Sequence, residues 1–88
     1  MSVNFYSIRS KSSGLFDRPF PCENDKRVIY ELRGVINSHP DSTISMDPSD
    51  HELYRVAVFD DEHGKMKAQN DCLLKDLSVL VRPKKEGA

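Results

Sequence analysis

Eighty-eight residues leave room for one hydrophobic core and no second domain. With 13 basic against 14 acidic residues and a net charge of -1, the chain is no binder that works by overwhelming positive charge. No apolar stretch approaches the eighteen or so residues of a membrane span, and Met1-Ser2-Val3-Asn4-Phe5 is no leader, so a soluble protein of the cytoplasm is expected.

Val3-Asn4-Phe5-Tyr6-Ser7-Ile8-Arg9 is dominated by β-branched and aromatic residues and predicts a first strand. Residues 10–14 read as a flexible connection. Residues 15–21, with Pro19 and Pro21 beside Phe16 and Phe20, read as an extended loop pinned by aromatic anchors. Asn24 is a good N-cap, and Asp25 suits the positive end of a helix dipole. Val28, Ile29, Leu32, Val35 and Ile36 then recur at helical spacing, one apolar stripe on a helix over roughly residues 25–37. Lys26, Arg27 and Arg33 lie off that stripe, and Glu31 follows Arg27 at the spacing of an ion pair. Gly34 weakens this helix by about 1 kcal/mol relative to Ala, through either a close packing contact or simple tolerance.

Turns are expected at residues 39–43 and 47–50, the second after a short segment at 43–46. Leu53-Tyr54-Arg55-Val56-Ala57-Val58-Phe59 predicts a central strand. Tyr54, Val56 and Val58 face one way, and Leu53, Arg55, Ala57 and Phe59 the other. A hairpin turn over 60–64 places Gly64 where a positive φ is needed, and residues 65–68 return as an edge strand. Asp71 is read as the cap of a last helix carrying Leu73, Leu74, Leu77, Leu80 and Val81, with a strand over 78–81 as the competing reading. Residues 1–82 make a single domain and 83–88 a flexible tail. The fold class is α+β: a small antiparallel sheet, β-α-β-β plus a C-terminal helix or strand, with one or two helices packed on one face. A chain this size buries only about 60 to 65 per cent of its unfolded surface, so a homodimer is a natural supplement.

The chemistry-bearing residues point away from catalysis. Asp60, Asp61, Glu62 and His63 lack the alternate spacing of a calcium loop and read as an exposed turn. His39 and His51 belong to no zinc pattern and read as surface residues. Cys22 and Cys72 read as two reduced thiols, with a single long-range disulfide as the alternative, and glycines 14, 34, 64 and 87 form no phosphate loop. No enzyme activity, metal or cofactor is expected. Charge, however, is segregated. Residues 1–39 hold six basic and four acidic residues, 40–62 one and seven, and 63–88 six and three. The N-terminal third interleaves Phe5, Tyr6, Phe16, Phe20 and Tyr30 with basic residues, the mixture that holds single-stranded nucleic acid through stacking and backbone contacts. The alternative, left open at this level, is that the aromatics are core and loop anchors and the charges an ordinary surface.

Two segments carry a resemblance. Residues 18–25, Arg-Pro-Phe-Pro-Cys-Glu-Asn-Asp, open a helix, and residues 53–64 run from Leu-Tyr to Phe-Asp and a Gly turn. With Phe5-Tyr6, and in this order, they resemble the short non-structural protein of gokushovirus-type microviruses over most of residues 4–66. The resemblance implies a small phage protein of the infected bacterial cytoplasm, regarded as DNA-binding. Its implied role is like that of the C protein of isometric single-stranded DNA phages, which helps switch the genome from duplex replication to single-strand synthesis and packaging. The chain departs from the pattern at Tyr30, where a basic residue is expected, and at Leu32, where an aromatic is. The leading expectation is non-specific binding of single-stranded DNA, with backbone contacts from Arg9, Lys11, Arg18, Arg27, Arg33, Lys65 and Lys67 and stacking by Tyr6 or Phe20. The second is a protein-interaction module that engages the replication-initiation protein or the procapsid through acidic residues 41–62.

Overall fold

The computed structural model describes residues 2–82. In chain order they form β1 (Ser2–Ser10), β2 (Phe20–Cys22), α1 (Asp25–Ser38), α2 (Thr43–Met46), β3 (His51–Asp60) and β4 (Lys65–Leu74), with 3-10 turns at Pro48–Asp50 and Leu77–Leu80. The strands make one antiparallel sheet in the order β2-β1-β3-β4, and α1 packs on one face. The expected α+β class is what the chain adopts.

α1 follows from local chemistry. The Asn24 side chain accepts the Arg27 amide at 2.8 Å, Asp25 occupies the first turn, and Val28, Leu32 and Ile36 bury one stripe. That stripe meets Tyr6 of β1, Leu53 of β3, and Leu77 and Leu80 of the second 3-10 turn, with Ile8, Phe20, Leu73 and Leu74 packed around them. The β3–β4 hairpin turns at Gly64, whose φ of +66° favours glycine. β3 is central, as its two apolar faces predict.

Several expectations need correction. The predicted loop over 15–21 ends in the short edge strand Phe20–Cys22, in which Pro21 pairs with Phe5 where an absent N–H does no harm. Residues 10–14 are tied down: the Asp50 carboxylate accepts the Ser12 amide at 2.9 Å and the Ser12 and Ser10 hydroxyls at 2.8 and 3.0 Å. These bonds, those from Ser12 first, hold the Asp50 carboxyl below the usual aspartate range. Residues 43–46 form a helical turn capped by Ser42. His51 is buried, with Nδ1 2.8 Å from the Asp47 carbonyl, whereas His39 is exposed. The predicted tail over 83–88 lies outside the described residues.

The last predicted helix does not form. Asp71, Leu73 and Leu74 belong to β4, and only Leu77–Leu80 turns, capped by Asp76. β3 would otherwise present an unpaired edge, and Leu74 opposite Leu53, Cys72 opposite Tyr54 and Asp71 opposite Arg55 complete its ladder. Leu77 and Leu80 still reach the core through the 3-10 turn. A strand over 78–81 does not form either.

A bulge resets the face assignment of β3. Tyr6 pairs with Arg55 while Phe5 pairs with Ala57, so Val56 is an extra residue against β1. Leu53 and Arg55 therefore face α1, but Ala57 and Phe59 join Tyr54 on the opposite face, whereas strict alternation would group them with Leu53. Arg55 donates to both Asp25 oxygens at 2.9 and 2.8 Å, to Gln69 at 2.9 Å and to Asp71 at 3.1 Å. The first turn of α1 is thereby fastened to β3 and β4.

Tyr6 joins the same node. Its hydroxyl donates to Asp25 at 2.7 Å and accepts from Asn4 at 3.0 Å. Burial first, then the hydrogen bond to Asp25, pushes its pKa up to about 12. Because the folded value exceeds that of an unfolded tyrosine near 10, the stability tied to the neutral ring is whole below about pH 10 and is lost as pH rises through about 12. In an alkaline absorbance titration the latest ionisation is expected near pH 12, from Tyr6 as the chain unfolds, with Tyr54, also raised by burial first, contributing a step that Tyr6→Phe leaves in place. Tyr6→Phe should remove that late step; a Tyr6→Phe profile identical to wild type would refute the assignment.

Candidate nucleic-acid interface

The residues expected to form one DNA-binding surface are distributed over several. Tyr6 is fully buried, so it is not placed to stack on a base, while the half-buried Phe20 packs against it with ring centroids 6.3 Å apart. Both lend apolar surface to the core. Arg9 lies on the sheet face turned away from α1, bound to Glu52 at 2.6 Å with its guanidinium 5.9 Å from the Phe16 ring centroid. Lys11 sits in the first turn, 3.9 Å from Asp76. Arg18 is exposed in the loop before β2. Lys65 and Lys67 pair with Asp60 and Val58 at the start of β4 and point to the α1 side of the sheet. Arg27 and Arg33 stand on the outer surface of α1.

That outer surface is where cations and an aromatic ring meet. Lys26, Tyr30, Arg33 and Asn37 follow one another at spacings of four, three and four, a polar stripe opposite Val28, Leu32 and Ile36. Tyr30 is the most exposed aromatic among the described residues, at 62%. The Arg27 guanidinium lies 5.8 Å from its ring centroid, within cation–π range, while the Arg27 Nε holds Glu31 at 3.1 Å. From the far end of the chain comes Arg82. Its backbone amide donates to Asn37 Oδ1 at 2.8 Å, and Asn37 Nδ2 donates to the carbonyls of Arg33 and Leu80, each at 2.8 Å. Tyr30, Arg33, Gly34 and Arg82 then line a shallow hollow of about 220 Å³. A Cβ at Gly34 would meet nothing within 4 Å, so no packing contact requires this glycine. Its missing side chain keeps the floor of the hollow open.

Tyr30 belonged to the aromatic series of the N-terminal third but not to the expected site, and Arg82 and Asn37 were not expected there. The helical spacing of Lys26, Tyr30, Arg33 and Asn37 was a readable signal. Nothing in the sequence brings Arg82 to them.

The acidic residues of 41–62 are largely engaged within the chain. Asp50 holds the first turn, Glu52 pairs with Arg9, and Asp47 accepts the Ser49 hydroxyl at 3.2 Å. Asp60 accepts the Glu62 amide at 3.0 Å and lies 2.7 Å from His63 Nδ1, and this contact to His63, foremost, keeps its carboxyl below the usual range. Cys22 and Cys72 sit on the two edge strands and are unpaired. Among the described residues no helix is long and apolar enough to cross a membrane, and no three His, Cys, Asp or Glu side chains gather as a metal site.

Neither the curated proteins nor the solved structures contain a match to this chain. The family model described as Phage ORF5 protein matches residues 3–78, from the first strand to the second 3-10 turn. This bacteriophage chain belongs to the Phage ORF5 protein family.

Proposed function

We propose that this phage accessory protein binds single-stranded DNA without sequence preference through the outer face of α1. Tyr30 provides the stacking surface, and Arg27, Arg33 and Arg82 meet the phosphates. The supporting observation is an exposed tyrosine ring surrounded by three guanidinium-bearing residues, two of them sharing a hollow with it. Arginine side chains track a nucleic-acid backbone and aromatic rings stack on unpaired bases of any identity, so single strands are preferred over duplex. The resemblance to the microvirus non-structural proteins agrees with a role in the switch to single-strand genome synthesis and packaging, in the host bacterial cytoplasm. The net charge of -1 keeps such binding modest and sensitive to salt.

The test is fluorescence anisotropy with a labelled single-stranded oligonucleotide and its duplex across a salt series. About three phosphate contacts predict a log–log salt slope near −2 for single strands. Arg33→Ala with Arg82→Ala should flatten it by roughly 1.4, at about 0.7 per contact, whatever the base sequence. Absence of single-strand binding at low salt, or an unchanged slope in the double variant, would refute this reading.

A further inference from the structure

On the sheet face opposite α1, Ser7 is buried with its hydroxyl donating to the Asp17 carbonyl at 2.6 Å and Arg9 pairs with Glu52, but the other half is apolar and carries no second layer among the described residues. In β1, Val3 and Phe5 alternate with the buried Tyr6 and point to that side. Their ladder partners Phe59 and Ala57 share it, and β4 extends it with Met66 and Ala68. None of these six side chains belongs to the core or to the layer packed against it, and Met66 is 55% exposed. At one end of the face Phe16 meets Tyr54 edge to face, with ring centroids 5.0 Å apart.

We propose that a second copy of this chain covers this face, two sheets packing against each other with the α1 helices outward. Charge selects the occupant. The ion pair on this face, Arg9 with Glu52 at 2.6 Å, is internally neutral, and Lys65 and Lys67 point to the other side. A nucleic-acid backbone would find no unpaired cation among the six apolar residues, and a charged peptide no counterpart. An identical apolar face matches itself across a two-fold axis. Nine residues of β1 at about 3.3 Å each, by the three long strands at about 4.8 Å with the three residues of β2 beside them, give a footprint of roughly 480 Å² per copy. A standard interface takes about 800 Å² per partner, so the dimer is reversible rather than obligate. Sheet packing also gives a thin core a second apolar layer. It leaves two Tyr30 surfaces on opposite outer sides, able to engage two segments of a strand.

Sedimentation equilibrium from micromolar to near-millimolar protein tests this without reference to DNA. The wild-type mass is expected to rise from 10.0 kDa toward twice that value. Phe59→Lys with Phe5→Ser should hold the chain monomeric. Met66→Lys, milder because Met66 is already exposed in one copy, should raise Kd about tenfold while leaving the circular dichroism unchanged. A wild type that stays at 10.0 kDa throughout, or a Met66→Lys protein that associates as tightly as wild type, overturns the proposal. So does an oligonucleotide that shifts the Met66 and Phe5 resonances in place of those of Tyr30, since the face would then belong to nucleic acid.

Discussion

Leu53→Ala is expected to destabilise the protein by about 2 to 5 kcal/mol, the largest single loss among conservative truncations of the core. Leu53 is fully buried on central strand β3, between Ile8 on β1 and Leu74 on β4, and faces α1. Two strands and a helix hold the walls of that site, so they cannot collapse into the space the side chain leaves, and the cavity adds to the lost transfer energy. A domain of this length has roughly 4 to 13 kcal/mol in total, so the variant forfeits a large part of it. Urea unfolding followed by circular dichroism should show a much lower midpoint with an unchanged slope. Leu15→Ala is the control. That side chain is 71% exposed, and its removal should stay within about 0.5 kcal/mol of wild type. Equal losses at the two positions would mean the core is not where α1 meets β3.

Tyr30→Ala is expected to weaken single-stranded DNA binding by about 5- to 150-fold, the range that 1 to 3 kcal/mol of stacking per base covers. The ring is 62% exposed on the outer face of α1 and contributes nothing to the core cluster, so the fold should tolerate the change. Tyr30→Phe keeps the stacking surface and should bind within about twofold of wild type, which separates stacking from hydrogen bonding through the hydroxyl. The two kinds of contact also divide by salt. Tyr30→Ala should shift the binding curve at every ionic strength without altering its slope, whereas the arginine variants should change the slope. Tyr6→Phe serves as the internal contrast: its ring is fully buried, and DNA affinity should not respond to it. If Tyr30→Ala binds like wild type while Arg33→Ala does not, the helix holds phosphates only and the stacking role is lost.

The resemblance to microvirus proteins implies a basic residue where this chain has Tyr30, and here the positive charge around the ring comes from Arg27, Arg33 and Arg82. Exchanging a cation for a ring on that face replaces one backbone contact with base stacking, which is insensitive to sequence.

What could be read from the chain alone is local. Asn24 before Asp25 and the stripe Val28, Leu32, Ile36 specify α1 within a few turns, because the cap and the helix period are near-neighbour effects. Gly64 between β3 and β4 specifies the hairpin for the same reason. The leucines at 73, 74, 77 and 80 were equally periodic, yet the first two became strand. Spacing cannot weigh a helix against the unpaired hydrogen bonds of β3, which only the assembled sheet brings into competition. The bulge at Val56 is likewise a property of three strands together, and it alone turns Ala57 and Phe59 to the open face. For the candidate site, the sequence by itself determined the polar stripe Lys26, Tyr30, Arg33, Asn37, since helical period sets which residues share a face. Tertiary structure decided that Tyr6 is core with Phe20 packed against it, that Arg9 is held by Glu52, and that Arg82 reaches Asn37 across 45 residues of chain. Such contacts depend on how the elements stack, and a chain of alternating apolar and charged residues leaves that stacking open until the sheet and helix have closed on each other.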